Sequence, residues 1–188
     1  TNARGASAWS DTITAIPRTV PDAPTLNALG EGNETLTVSW SAPTDTGGSA
    51  LTGYLIEYAT NSNFTSAVSV PVSASATSRT LTGLTNGTTY WVRVTSVNAA
   101  GSSVPSGFAS GYPRTVPTAP QAVLAVAESH SVVASWQAPT STGGDAITAY
   151  TVEVVTGAGT VVGTFTTNAT TFSHTFTGLT PKAQYFVR

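Results

Sequence analysis

Few residues in this chain could do acid–base or metal chemistry. His130 and His174 are the only histidines, and there is no Cys. General acid–base catalysis needs a His or paired carboxylates converging within hydrogen-bond reach of one reacting atom. His130 stands between Ser129 and Ser131 in an expected hairpin turn, and His174 stands between Ser173 and Thr175 on an alternating stretch. Both read as solvent-facing polar residues. Asp45 and Glu57 form no pair at a catalytic spacing. Asp45 beside Gly47 resembles a fragment of a calcium loop, but the further oxygen ligands that calcium needs are missing. Gly47–Gly48 and Gly143–Gly144 could suggest a phosphate cradle. Such a cradle needs a helix N-terminus behind it and a Lys beside it. Here a strand-like stretch follows each pair, and Lys182 is the only lysine. The glycine pairs therefore read as turns that supply positive φ between two strands. No catalytic, metal or cofactor set is expected, and the chain reads as a non-enzyme.

The composition agrees. Hydrophobic residues make up 40% of the 188 positions, enough for a buried core. Charged residues are 9%, against roughly 25% in ordinary soluble domains. Ser, Thr, Asn, Gly and Ala must then cover much of the surface. The net charge is −2 and no basic run is present, which argues against nucleic acid as a partner. No apolar run is long enough for a membrane span, so insertion by this segment is not expected. The lack of any Met makes a piece of a longer protein the expectation.

The elements that would position any site come from a repeat. Trp40 and Trp136 are 96 residues apart, as are Gly47 and Gly143, and Tyr54 and Tyr150. Later landmarks slip by one: Leu84 matches Leu179, and Tyr90 matches Tyr185. The stretch from Asn2 matches the stretch from Asn98, again at 96. Neither histidine has a counterpart in the complete repeat, and Ser141 replaces Asp45 in the next one. Thr35–Ser41 alternates Leu36, Val38 and Trp40 with hydroxyl residues, which is the period of a half-buried strand. Tyr54, Ile56 and Tyr58 alternate likewise, as do Tyr90, Val92 and Val94. No helical periodicity is evident. Short strands between Gly, Pro and Asn turns point to an all-β, antiparallel sandwich.

The order Pro-x-Ala-Pro, then V-S-W-x-A-P-T-x-T-G-G-x-A-[LI]-T-x-Y, then T-G-L-T, then Y-x-V-R resembles a fibronectin type III domain. It is most similar to the bacterial tandem versions of secreted and cell-surface proteins, and the resemblance covers essentially the whole chain. It implies immunoglobulin-like sandwiches of strands A-B-E against C′-C-F-G. Trp40 and Trp136 would lie in the core on strand B. Tyr90 and Tyr185 would sit on strand F, after turns whose Leu84 and Leu179 plug the core, in the manner of a tyrosine corner. The implied organisation is a strand G of a preceding domain at 1–17, a complete domain at 18–113, and a domain ending within strand F at 114–188. The Arg-Gly-Asp tripeptide is absent, so integrin-type adhesion is not implied.

Alternation also assigns the outer faces. Trp91 and Arg93 face outward where Tyr90, Val92 and Val94 face inward, and Phe186 and Arg188 take the same places in the next repeat. Glu57 with Arg93, and Glu153 with Arg188, are expected as cross-strand pairs. Trp91 is free either to pack under Arg93 as a cation–π pair or to stack on a sugar or a neighbouring module. Trp9, replaced by Pro105 in the next repeat, is a further candidate contact. The sequons at Asn33, Asn63, Asn86 and Asn168 read as turn asparagines. Proline in the linkers PRTVPDAP and PRTVPTAP implies semi-rigid joints.

The functional expectation is a structural spacer array in an extracellular, cell-surface or filament-forming protein. Its partners are neighbouring domains or other copies placed head-to-tail, with Asp11–Ile16 docking as a strand G. The alternative is a carbohydrate- or protein-binding auxiliary module of a secreted hydrolase or an adhesin.

Overall fold

The computed structural model describes residues 1–188 and is built of two β-sandwiches. In the first, β1 (Thr25–Leu26) and β2 (Gly30–Gly32) are two halves of one interrupted edge. Both pair with β3 (Thr35–Ser41), and β6 (Ser78–Thr82) takes the other side of β3. The facing sheet orders β5 (Val68–Ser73), β4 (Leu51–Ala59) and β7 (Tyr90–Asn98), with β8 (Gly101–Ser102) and β9 (Ala109–Gly111) both on β7. These are A-B-E against C′-C-F-G. In the second sandwich, β10 (Gln121–Glu128), β11 (Ser131–Gln137) and β14 (Ser173–Thr177) form one sheet. The other orders β13 (Val161–Asn168), β12 (Ala149–Thr156) and β15 (Tyr185–Val187).

Period-2 patterning becomes burial directly. Leu36, Val38 and Trp40 of β3 are buried, and so are Tyr54 and Ile56 of β4 and Tyr90, Val92 and Val94 of β7. Trp40 meets Tyr54 edge-on across the sheets, with ring centroids 5.3 Å apart. The second core gathers Ala134, Trp136, Tyr150, Val152, Val154 and Phe176. The tyrosine corner is present there: the Thr180 amide donates to the Tyr185 hydroxyl at 3.1 Å. The one-residue slip between repeats falls in the loop that joins β4 to β5 in the first sandwich and β12 to β13 in the second. Tyr58 pairs with Val68, but its counterpart Val154 pairs with Gly163.

Proline shapes the last strand of the first sandwich. Pro105 has no N–H for the ladder, and the strand breaks into β8 and β9. Two serines close the gap. Ser106 donates its amide to the Val94 carbonyl at 2.8 Å, and its hydroxyl accepts the Val94 amide at 3.0 Å. Ser103 makes the same double contact with Ser96, at 2.9 and 3.1 Å.

His174 departs from expectation. It is half-buried and stacks flat on Phe165, with centroids 3.6 Å apart and planes 6° apart. Its edge meets Phe176 at 4.7 Å. The reason is the pleat: Phe176 faces the core, so the residue two positions earlier shares that face. His130 does occupy the β10–β11 turn, at φ 58°.

Truncation of Trp40 removes the largest ring of the first core. Trp40→Ala is expected to cost about 3–5 kcal/mol, read as a lowered midpoint in urea. An unchanged midpoint would place Trp40 outside the core. Burial pushes the Tyr54 phenol above its ordinary 10.0. The folded state therefore prefers the neutral phenol, and stability falls as pH rises above the unfolded value. Tyr54→Phe is expected to flatten that alkaline decline in a pH series of melting curves.

Candidate interaction surface

The two Gly-Gly turns are seats for the linker that precedes each sandwich. Gly47 and Gly48 have φ of 70° and 71°, and Gly143 and Gly144 have φ of 77° and 106°. The Thr19 amide donates to the Gly47 carbonyl at 2.9 Å, and the Thr115 amide donates to the Gly143 carbonyl at 2.8 Å. A Cβ on Gly47 would overlap the Thr19 carbonyl oxygen, and one on Gly143 the Thr115 carbonyl oxygen. Glycine is required twice over, by backbone conformation and by close approach. Asp45 caps the first turn, its carboxylate accepting the Gly47 amide at 2.7 Å; Ser141 does the same for Gly143 at 3.2 Å. The calcium-like fragment is thus a turn cap.

Asn98 completes the first seat, and sequence reading did not single it out. Its side-chain amide donates to the Thr19 and Thr46 carbonyls, both at 2.8 Å. Its oxygen accepts the Ala100 and Gly101 amides. The signal was present in the Asn2–Asn98 match, since Asn2 accepts the Arg4 amide in the same way at 2.9 Å. Further along, the Arg114 amide donates to the Gly32 carbonyl at 3.0 Å, and its guanidinium pairs with Glu31 at 2.8 Å.

The outer sheet face of the first sandwich carries the expected ion pair. Glu57 and Arg93 are register partners, and Arg93 Nε meets Glu57 Oε2 at 2.8 Å. In the second sandwich Arg188 Nε meets Glu153 Oε2, also at 2.8 Å. Trp91 is half-buried and Phe186 is 48% exposed. The ring under Arg93 is not Trp91. It is Phe64, whose centroid lies 4.1 Å from the Arg93 guanidinium carbon. The loop between β4 and β5 carries Phe64 back over the sheet, and spacing along β7 could not reveal that. Phe108 meets Phe64 edge-on at 6.3 Å. Trp9 is fully exposed and joins neither cluster, and Asp11–Ile16 has no strand partner in the single chain.

This architecture is that of a tandem immunoglobulin-like sandwich protein. The fibronectin type III domain pattern matches residues 22–111 and 117–188, so the chain belongs to that family. Among curated relatives, it is 33% identical over 167 residues to a Kelch domain-containing protein of Saccharolobus solfataricus, covering 89% of this chain and 22% of that one. It is 34% identical over 177 residues to Exoglucanase B of Cellulomonas fimi, covering 89% of this chain and 15% of that one. The chain therefore spans a small part of the curated relatives it matches. A two-domain fibronectin type III segment of chicken tenascin aligns at 21% identity and a TM-score of 0.47, covering 88% of this chain and 89% of that one.

Gly143→Ala forces an L-residue into the left-handed region, at about 1–2 kcal/mol, and drives a methyl into the linker. The second sandwich is expected to unfold at correspondingly lower urea. The control Gly178→Ala, in the same sandwich, has a similar φ but no neighbour within 4 Å of the added carbon. A loss no greater than the control's would show that the seat contributes nothing.

Proposed function

We propose that this chain is a non-catalytic spacer, a run of fibronectin type III sandwiches that separates other parts of a larger extracellular or surface protein. The observation that carries the reading is the repeated seat. At Thr19 and at Thr115, linker backbone is hydrogen-bonded into the Gly-Gly turn of the sandwich that follows. A linker held this way, with proline fixing φ at Pro17, Pro21, Pro113 and Pro117, is a joint and not a floppy tether. The low charge and the scarcity of titratable side chains support a role without chemistry of its own. Similarity to Exoglucanase B supports placement as an auxiliary segment of a secreted hydrolase. The proposed partners are neighbouring domains of the same array.

Backbone order parameters test the spacer reading. Thr115, Val116 and Thr118 are expected to match the strands, near about 0.85. Values below about 0.6 at these residues would mark a flexible tether and contradict the proposal.

A further inference from the structure

The loop between β4 and β5 holds Phe64 and Ser66 in the left-handed region, at φ 55° and 56°. That conformation costs about 1–2 kcal/mol for an L-residue, and such strain gathers at functional sites. Asn61 fixes the loop: its side-chain oxygen accepts the Thr65 amide at 3.0 Å, and its nitrogen donates to the Thr65 carbonyl at 3.0 Å. The result is a Phe64 ring lying on Arg93, with Phe108 beside it at 59% exposure. The second sandwich keeps the Glu–Arg pair but has Gly157, Ala158 and Gly159 in that loop. A sandwich of this family therefore folds without the added ring, which in the first sandwich covers Arg93 and holds Phe108 at the edge of this face.

The chemistry of the face narrows what that is. β4 and β7 are hydrogen-bonded on both sides, so no peptide can add here as a strand. The Arg93–Glu57 pair is neutral as a unit, which gives no attraction for a charged partner. Arg93 uses Nε for Glu57, so the guanidinium keeps further donors beside a carboxylate acceptor. Ser69, the register partner of Glu57, adds an exposed hydroxyl-bearing side chain. Aromatic rings next to a neutral donor–acceptor pair match a sugar ring, with its C–H face and its rim of hydroxyls. We infer that this face of the first sandwich binds a neutral polysaccharide, with Phe108 and Trp91 stacking on sugar rings and the Glu57–Arg93 pair bonding their hydroxyls.

Affinity electrophoresis of the 188-residue protein tests this, in gels cast with hydroxyethyl cellulose or with xylan. Retardation in at least one polymer is expected. Phe108→Ala is expected to weaken it about tenfold or more, the loss of one contact worth about 1.4 kcal/mol. Phe186→Ala, on the second sandwich, is expected to leave it unchanged. If Phe108→Ala lowers the melting temperature, Phe108→Leu is read by the same criterion. Unchanged mobility in both polymers overturns the inference, as does full retardation by the Phe108 variant. The linker dynamics that test the spacer reading do not bear on this outcome.

Discussion

One steric constraint organises each repeat: no side chain fits where the Gly-Gly turn meets the linker. The turn must pass close enough to the linker backbone for an amide-to-carbonyl bond, and a Cβ at Gly47 or Gly143 would occupy that space. The same turn sends the chain from β3 to β4, and from β11 to β12, so it sets the crossing between the two sheets. The linker seat and the sheet-to-sheet crossing are thus one piece of geometry. Asn98 adds to it from the end of β7, where its buried amide ties the linker to the turn.

The two sandwiches share a core plan and differ on their surfaces. Trp40 with Tyr54, and Trp136 with Tyr150, repeat the same contact between facing sheets. Around it the fillings vary. Phe176 replaces Leu81, and a stacked His174 fills space on the inner face of the second sandwich. On the outer face, the longer loop of the first sandwich adds Phe64 above an ion pair that both sandwiches possess. The Trp–Tyr contact and the Glu–Arg pair are repeated, and the unrepeated features lie both in the core filling and on the outer face.

Much of this was legible in the sequence because a strand has a strict period. Alternation placed Trp40, Ile56 and Val92 inside and Glu57 opposite Arg93, and the structure has them there. The role of Phe64 was not legible. It depends on a loop bent through two positive-φ residues, a conformation set by Asn61 and by no periodic pattern. His174, expected to face solvent, is half-buried against Phe165. Phe176 faces inward, and the pleat carries His174 with it. The role of Asn98 was not legible, because a polar residue at a strand end has the pattern of turn chemistry, whereas this one is buried and satisfied at four hydrogen bonds.

Amide hydrogen exchange at Thr19 and Thr115 tests the central claim most directly. Both amides lie in proline-punctuated linker and would exchange at nearly the free rate in a tether. Bonded to Gly47 and Gly143, they are expected to be protected to the same degree as amides of β3 and β11, opening only with the sandwich that holds them. Exchange at the unprotected rate while those strands remain protected would contradict the claim that each linker is part of the sandwich that follows it.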